Sequence, residues 1–441
     1  MKIYDSLTGE KNILSSKKVN IYCCGPTVYN YIHIGNARPV ILVDILIRYL
    51  KSRGVEVNYL QNITDVDDKI IKKAIEQNLT ENEISSLYTE AYIKDLKSLN
   101  IIMPTKLIPI SQKLPEMLDF IEKLVETGDA YVVDGDVYFD IKKWFKIYGE
   151  LSGRKVDELI AGERIEIDLK KHDPLDFVIW KKTDAGIKWK SKFGEGRPGW
   201  HTECSVLIDE YFNHETIDIH AGGIDLKFPH HENERIQFIA YNQQEIAKNW
   251  MHNGHVTLED EKMSKSLGNT VLVKDFILNY GSNLLRWFFL TSQYRQPLNV
   301  SENIINQGEK FFEKIENLRK KVLNALLSNE QFVDVEMNNL IIKEFNDQMD
   351  NDINTALVLT IIDRVIKEIN KEITNQQETQ WIGKFKSLEH IFATLGFMEL
   401  LNVKFTDEDQ GLFKAWKSAL QKKDFATADN LRQQLVRKKL V

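Results

Sequence analysis

The stretch "VNIYCCGPTVYNYIHIGNARPVILVDILIRYLKSRGVEVNYLQNIT", Val19 to Thr64, decides the fold. Its opening run "VNIYCC" reads as a strand, "RPVILVDILIRYLKSRG" as a buried helix, and "VEVNYLQNIT" as a second strand. That order is a βαβ unit, which requires a parallel sheet. The helix is punctuated accordingly, with Pro39 expected in its first turn and Gly54 just past its end. Further along, "TIDIHAGG" and "WMHNGHVTL" read as more strands of the same sheet. Between the two halves, residues 95 to 200 have a different texture, including "DAYVVDGDVYFDI", a hairpin candidate around Asp134-Gly135. This stretch is expected to be an insertion. All nine prolines lie at or before Pro297, and the remainder, as in "NTALVLTIIDRVIKEINKEI", keeps helical periodicity. The C-terminal region after about residue 300 is therefore expected to be mostly helical. No internal repeat or low-complexity tract interrupts the chain.

The chain has 441 residues, 43% hydrophobic and 28% charged, enough for several globular domains and without the bias of a disordered protein. The start "MKIYDSLTGEK" lacks the pattern of a secretory signal, and no apolar run reaches the roughly 20 residues that span a bilayer. A cytoplasmic protein with no membrane partner is expected. Three cysteines, Cys23, Cys24 and Cys204, are too few to staple such a chain, which excludes a disulfide framework. A net charge of -7 argues against a uniformly basic surface but permits local basic patches.

Neither of the two commonest Gly-rich phosphate loops occurs, so nucleotide binding would need another site. "HIGNARP" offers one between the first strand and the helix, where backbone N–H groups and the helix dipole favour an anion. His33 and Asn36 add side-chain donors. "EKMSKSLGN" places Lys262 and Lys265 among serines and a glycine, a cationic loop able to close on a charged leaving group. Taken alone, the first reads as an ordinary strand-to-helix turn and the second as a solvated surface segment.

Neighbouring strand residues point to opposite faces, so Cys23 and Cys24 cannot easily serve one metal ion. Cys24, at the C-terminal end of the strand, faces the crevice where open α/β sheets bind ligands. Cys23 is then a small core residue. Further ligand types appear in "GWHTECS", with Cys204, and in "LKFPHHENER", where His230 and Glu234 share a helix face just after Pro229. By spacing, His231 rivals His230.

Together "CCGPTVYNYIHIGN", "NITDVDDKII", "GWHTECS", "GGIDLKFPHHENE" and "EKMSKSLGN" resemble the cysteinyl-tRNA synthetases, a family of class I aminoacyl-tRNA synthetases, in order and approximate spacing from about residue 1 to residue 430. The resemblance implies an α/β fold: a Rossmann-like parallel-sheet catalytic domain with an inserted connective domain, followed by an all-helical C-terminal region. It implies a first catalytic half at 1–94, the connective insertion at 95–200, and a second catalytic half at 201–250. The KMSKS loop and stem-contact region would follow at 251–302, a helical bundle at 303–400, and a short anticodon-side region at 401–441. It makes Cys24, Cys204, His230 and Glu234 ligands of one zinc ion per chain. His33, Gly35 and Asn36 become the HIGH-type ATP signature, and Lys262, Ser264, Lys265 and Ser266 the KMSKS-type loop, with Lys265 its principal ATP contact. His33, Asn36, Lys262 and Lys265 would stabilise charge on the phosphates together with Mg2+. Gly25, Thr27, Thr64 and Trp200 would line a cysteine pocket with His220 beside it.

The chemistry implied is activation of L-cysteine by ATP to cysteinyl-adenylate, then transfer to the 3′ end of tRNA-Cys by a chain expected to be a monomer. An apolar pocket separates cysteine from serine by only about 1 to 3 kcal/mol. A zinc ion that takes a thiolate at about 2.3 Å, and a hydroxyl far less readily, would supply the rest. Asn36 stands where the signature has its last His, and its amide can still donate. The family usually continues beyond the point where this sequence stops, "LRQQLVRKKLV", with a short Gly-Thr-Trp-like segment. The tail from Leu401 carries nine Lys/Arg against five Asp/Glu, with Trp416 among them, an RNA-facing composition. Two rivals are a relative that ligates cysteine to an amino sugar, which would lack residues 300 to 441, and a non-catalytic zinc and RNA-binding relative, which would be free to lose His33, Lys262 and Lys265.

Overall fold

The computed structural model describes the chain except residues 156–169, 260, 263–269, 329–334, 376–379, 402, 439 and 441, with the main chain alone at Glu261 and Lys262. It divides into two compact units. The first comprises Met1–Leu285, Tyr294–Val300 and Asn351–Ile353; the second comprises Arg286–Gln293, Ser301–Asp350 and Asn354–Val441.

At the centre of the first unit is a five-stranded parallel sheet of β1 (Lys18–Cys23), β2 (Glu56–Ile63), β3 (Lys106–Pro109), β4 (Ile219–Gly223) and β5 (Trp250–Asn253), in the spatial order β5-β4-β1-β2-β3. The order reverses between β1 and β4, which makes the crevice at their C-terminal ends the place where such sheets bind ligands. Strand alternation sends Tyr22 into a core cluster with Leu60, Val206 and Leu207, and Cys23 to the other face. Lys106–Pro109 falls within the stretch expected to be the insertion, yet it is the edge strand of this sheet.

Helix α1 (Ile34–Ser52) follows β1 and is buried along most of its length. It begins earlier than the proline implied, so Pro39 lies in its second turn. The reason is a reciprocal cap: the His33 side chain accepts from the Asn36 N–H while the Asn36 side chain accepts from the His33 N–H. Such a cap is worth about 1 kcal/mol and fixes where the helix starts. Gly54, at φ +76°, ends it as expected.

Residues 130 to 198 contribute a separate antiparallel sheet of five strands. Its first hairpin pairs Ala130–Val133 with Asp136–Phe139 and turns through Asp134 and Gly135, both at positive φ, as the Asp-Gly pair requires. "WMHNGHVTL" does not remain in one sheet. Trp250–Asn253 joins the parallel sheet, whereas Val256–Leu258 pairs with Glu261–Lys262 and Leu298–Val300. The break falls at Gly254, where a Cβ would sit 2.5 Å from the carbonyl oxygen of Gln296. There the buried Arg38 guanidinium of α1 donates to the carbonyls of Gly254, His255 and Gln296 at 2.7, 3.0 and 2.7 Å.

The second unit is helical, with long elements at Glu302–Ser328, Asn339–Met349, Thr355–Thr374, Gln380–Thr394, Asp407–Gln421 and Phe425–Arg437. The last two pack against the first through Leu323, Leu327, Phe413, Leu435 and Leu440. No described helix is long and apolar enough to cross a membrane.

Candidate active site

A cavity of about 510 Å³ opens beyond the C-terminal ends of β1 and β4, with Cys24, Gly25, Thr27, His33, Trp200 and His230 among its walls. Two further helices bring side chains to it: α2 (Trp200–Tyr211) and α3 (Glu232–Asn242), the latter preceded by the irregular turn Lys227–His231.

Donor atoms of Cys24, Cys204, His230 and Glu234 all lie within 4.8 Å of one another. Cys24 Sγ is 4.0 Å from Cys204 Sγ and 3.7 Å from Glu234 Oε1, and Cys204 Sγ is 3.7 Å from His230 Nε2. A tetrahedral zinc site with bonds of about 2.0 to 2.3 Å has donor–donor edges of about 3.3 to 3.8 Å, so this set fits with small adjustments. The largest concerns His230 Nε2 and Glu234 Oε1, which are paired at 2.6 Å. A second quartet, Cys24, His220, His231 and Glu234, overlaps the first but contains one thiol instead of two. In it His231 Nε2 lies 3.3 Å from Cys24 Sγ, and its Nδ1 meets His252 Nε2 at 2.8 Å. Cys23 belongs to neither donor set: burial above all, with a contribution from Cys204, pushes its thiol up to about 12, as befits a core residue.

The cluster is strongly polarised. Burial disfavours charge on His230, yet Glu234 and Cys204 beside it outweigh that and raise the imidazole to about 10. Burial likewise opposes charge on Glu234, but His230 and His220 hold its carboxyl well below the usual carboxylate range. Burial and the neighbouring Cys204 raise the Cys24 thiol. His201 is driven the other way, to about 3, by burial and by the charge on His230.

Of the residues expected to form the amino-acid pocket, Gly25, Thr27 and Trp200 line the cavity, whereas Thr64 and His220 are fully buried behind it. The Trp200 indole stacks on His230, with ring centroids 4.1 Å apart. His220 Nε2 is 2.7 Å from Glu234 Oε2, so it orients that carboxylate. Thr64 Oγ1 donates to Glu203 Oε2 at 2.9 Å and accepts from Asn62 Nδ2 at 3.0 Å. Asn62 Oδ1 in turn accepts from the Gly25 N–H at 2.6 Å and from the Tyr22 hydroxyl at 3.0 Å. A Cβ at Gly25 would stand 1.8 Å from the Asn62 carbonyl oxygen, so only glycine allows the close approach. Asn62 and Glu203 were not singled out by sequence. The available signal was position: Asn62 sits at the C-terminal end of β2, beside the crevice, and Glu203 immediately precedes Cys204.

His33, Gly35 and Asn36 occupy the N-terminus of α1 on the cavity wall. The main chain around His33 is laced to the segment after the Lys/Ser loop. Ile34 N donates to Val271 O and Val273 N to Ile32 O, both at 3.0 Å. Lys262 ends the short strand Glu261–Lys262. Ser264, Lys265 and Ser266 lie outside the described residues.

The parallel order, the crossing-point cavity and the capped helix N-terminus on its wall define the fold of a class I tRNA synthetase catalytic domain. Residues 10–310 match the family described as "tRNA synthetases class I (C) catalytic domain", and residues 344–399 match the DALR domain. A methionyl-tRNA synthetase from Mycobacterium tuberculosis, solved with methionyl-adenylate, superposes with a TM-score of 0.65 over 90% of this chain and 91% of that one at 14% identity, a likeness of fold. The cysteine–tRNA ligase of Mycoplasma mycoides subsp. mycoides is 58% identical over 99% of each chain, and that of Malacoplasma penetrans 41% identical over the whole of both. The chain belongs to the cysteine–tRNA ligase family.

Proposed function

We propose that this chain activates L-cysteine with ATP and esterifies the 3′ end of tRNA-Cys with it, as a monomer in the cytoplasm, and that Cys24, Cys204, His230 and Glu234 hold one zinc ion. The observation that carries this reading is the convergence of two thiols, an imidazole and a carboxylate within 4.8 Å on the wall of a cavity that also receives a capped helix N-terminus. His230 is preferred over His231 because it faces Cys204 and so keeps both thiols in one donor set. Bound there, zinc supplies a soft Lewis acid that favours a thiolate over a hydroxyl.

The remaining work falls to the protein's own groups. Gly25 and Thr27 shape the amino-acid pocket, Trp200 closes one side of it, and Thr64 and His220 stiffen it from behind. The cysteine carboxylate attacks the α-phosphorus of ATP and pyrophosphate leaves. His33 and Asn36, with the positive end of the α1 dipole, direct positive potential at the phosphates, and Gly35 lets them approach. Lys262 and Lys265, with Ser264 and Ser266 and a magnesium ion, neutralise the departing pyrophosphate. A terminal ribose hydroxyl of the tRNA then attacks the acyl carbon and AMP leaves. Positioning and electrostatics account for both steps, so no covalent enzyme intermediate is required. The helical region, ending in the anticodon-side stretch 401–441, holds the tRNA body.

Pyrophosphate exchange measured with cysteine and with serine, in the presence and absence of tRNA, tests the reading. Exchange should depend on cysteine, with serine at least about a thousand-fold poorer, beyond what an apolar pocket delivers. Comparable exchange with both amino acids would overturn it.

A further inference from the structure

Part of the active-site cavity is walled by two elements remote in sequence: the start of α1, with His33 and Asn36, and residues 254–256, which leave β5. Arg38 joins them without lining the cavity itself. Its Nη1 donates to the carbonyls of Gly254 and His255 and its Nη2 to that of Gln296. The guanidinium is buried, no carboxylate is paired with it among the described residues, and burial pushes its pKa down to about 10. A cation so far from water is costly, and an apolar side chain of similar size would fill the space without that cost. The arrangement therefore points to what the hydrogen bonds hold in place rather than to stability.

The other side of the same turn is fixed as well. Gly254 N donates to Tyr294 O and Leu298 N to His255 O, both at 2.9 Å. Tyr294 and Arg295 are held in turn by the fully buried Asp352, whose Oδ1 accepts from the Tyr294 hydroxyl at 2.8 Å and from the Tyr4 N–H at 2.9 Å, and whose Oδ2 pairs with Arg295. Asp352 and Ile353 both take left-handed backbone, with φ of +64° and +53°. For a β-branched isoleucine that is a strained conformation, kept only where the surroundings hold it. Val256 begins the short strand that pairs with Glu261–Lys262, so the position of this turn also sets where the Lys/Ser loop starts.

We infer that Arg38 is a positioning residue for ATP, one end of a clamp whose other end is Asp352. By fixing the carbonyls of Gly254, His255 and Gln296, it sets the spacing between the start of α1 and the base of the Lys/Ser loop, the two elements that must meet the triphosphate together. The inference rests on the function proposed above and deepens it. Neither Arg38 nor Asp352 lines the cavity, so each acts through the turn it holds.

Arg38→Met, Arg38→Lys and Asp352→Asn are compared with wild type in pyrophosphate exchange at varied ATP and at varied cysteine, and in calorimetric binding of ATP, with zinc content and thermal unfolding measured alongside. Lysine keeps the charge but offers a single nitrogen in place of the planar fork, and asparagine tolerates left-handed backbone while removing the carboxylate. The KM and Kd for ATP should rise about ten-fold in Arg38→Lys and further in Arg38→Met, and about three-fold or more in Asp352→Asn, with the KM for cysteine within about two-fold of wild type. Zinc content should not change. If Arg38→Met does not fold, the two milder variants still decide the matter. A lowered unfolding temperature with both substrate constants unchanged would make the clamp merely structural and overturn the inference. Parallel increases in the KM for ATP and for cysteine would overturn it too, because the turn would then serve the whole cavity. Absence of cysteine-dependent exchange in the wild type is a separate result, which would remove the proposed function itself; ATP calorimetry would then read the clamp directly.

Discussion

His230 Nε2 stands 2.6 Å from Glu234 Oε1 one helical turn away, and both side chains are closed to solvent. Without metal this is a proton-sharing pair, with the imidazole raised to about 10. Metal uptake must displace that proton and the one on the raised Cys24 thiol. Zinc affinity should therefore rise with pH between about 6.5 and 10, by about ten-fold per unit for each proton displaced. Chelator competition at several pH values measures it, and a flat profile would contradict the pairing. The linkage of the metal-free protein follows the same sign. Its stabilisation from the charged His230 is fully present below about 6.5 and is lost as pH rises through about 10.

The two adjacent cysteines should behave oppositely. Cys204→Ser should strip most of the zinc, whereas Cys23→Ala should retain it and lose only about 1 kcal/mol of stability, the cost of a small core side chain. Metal content per chain and a denaturation curve check both. Full zinc in Cys204→Ser is the outcome that cannot be reconciled with the ligand set.

Asn62→Leu removes the acceptor that fixes the Gly25 N–H and the Tyr22 hydroxyl and the donor to Thr64. Leaving buried polar groups unpaired costs about 1 to 3 kcal/mol apiece. The KM for cysteine in pyrophosphate exchange should rise at least about ten-fold while the KM for ATP stays near its wild-type value. Equal changes in both would mean that the network serves the whole cavity rather than the amino-acid pocket.

Lys265→Ala should slow adenylate formation by about a hundred-fold or more while leaving cysteine affinity nearly unchanged, because its charge is most useful as pyrophosphate departs. Stopped-flow activation at varied cysteine separates rate from binding. An effect on cysteine affinity alone would assign the loop a different task.

Removing the tail from Asp424 onward would also take Leu435 and Leu440 out of their cluster with Leu323 and Phe413, confounding RNA binding with folding. Replacing the exposed Lys422, Lys423 and Arg432 by alanine avoids this. Aminoacylation should weaken through tRNA affinity, with the salt slope of binding reduced by about one for each phosphate deprived of its cation and exchange unaffected. An unchanged slope would show that this surface does not face RNA.

The βαβ unit was legible because its strands and buried helix carry different periods, and Gly54 marks the helix end unambiguously. The helix start was misjudged because a proline is a visible signal, while the His33–Asn36 cap is a relation between side chains that depends on backbone direction. "WMHNGHVTL" read as one strand because nothing local reveals Gln296 crossing at Gly254. The metal candidates were legible from chemistry, since a thiol at a strand end and an i,i+4 His/Glu pair declare themselves. Asn62 and Glu203 did not, because their partners are brought together only by the sheet.

The pairing of β1 with β4 joins positions far apart in sequence: Asn20 N donates to Asp218 Oδ2 across 198 residues, and Cys24 meets Cys204 across 180. Closing so large a loop carries an entropic cost that only interactions formed afterwards can offset. During synthesis the first βαβ unit can form early, but the crevice does not exist until the chain has been extended past Glu234. Before then the thiols are not enclosed by the cluster, and a metal ion would meet them one at a time. An ion bound by Cys24 and Cys204 would join both halves of the sheet and so act as a clasp on late-assembling topology, its retention marking a catalytic domain whose two halves have found each other.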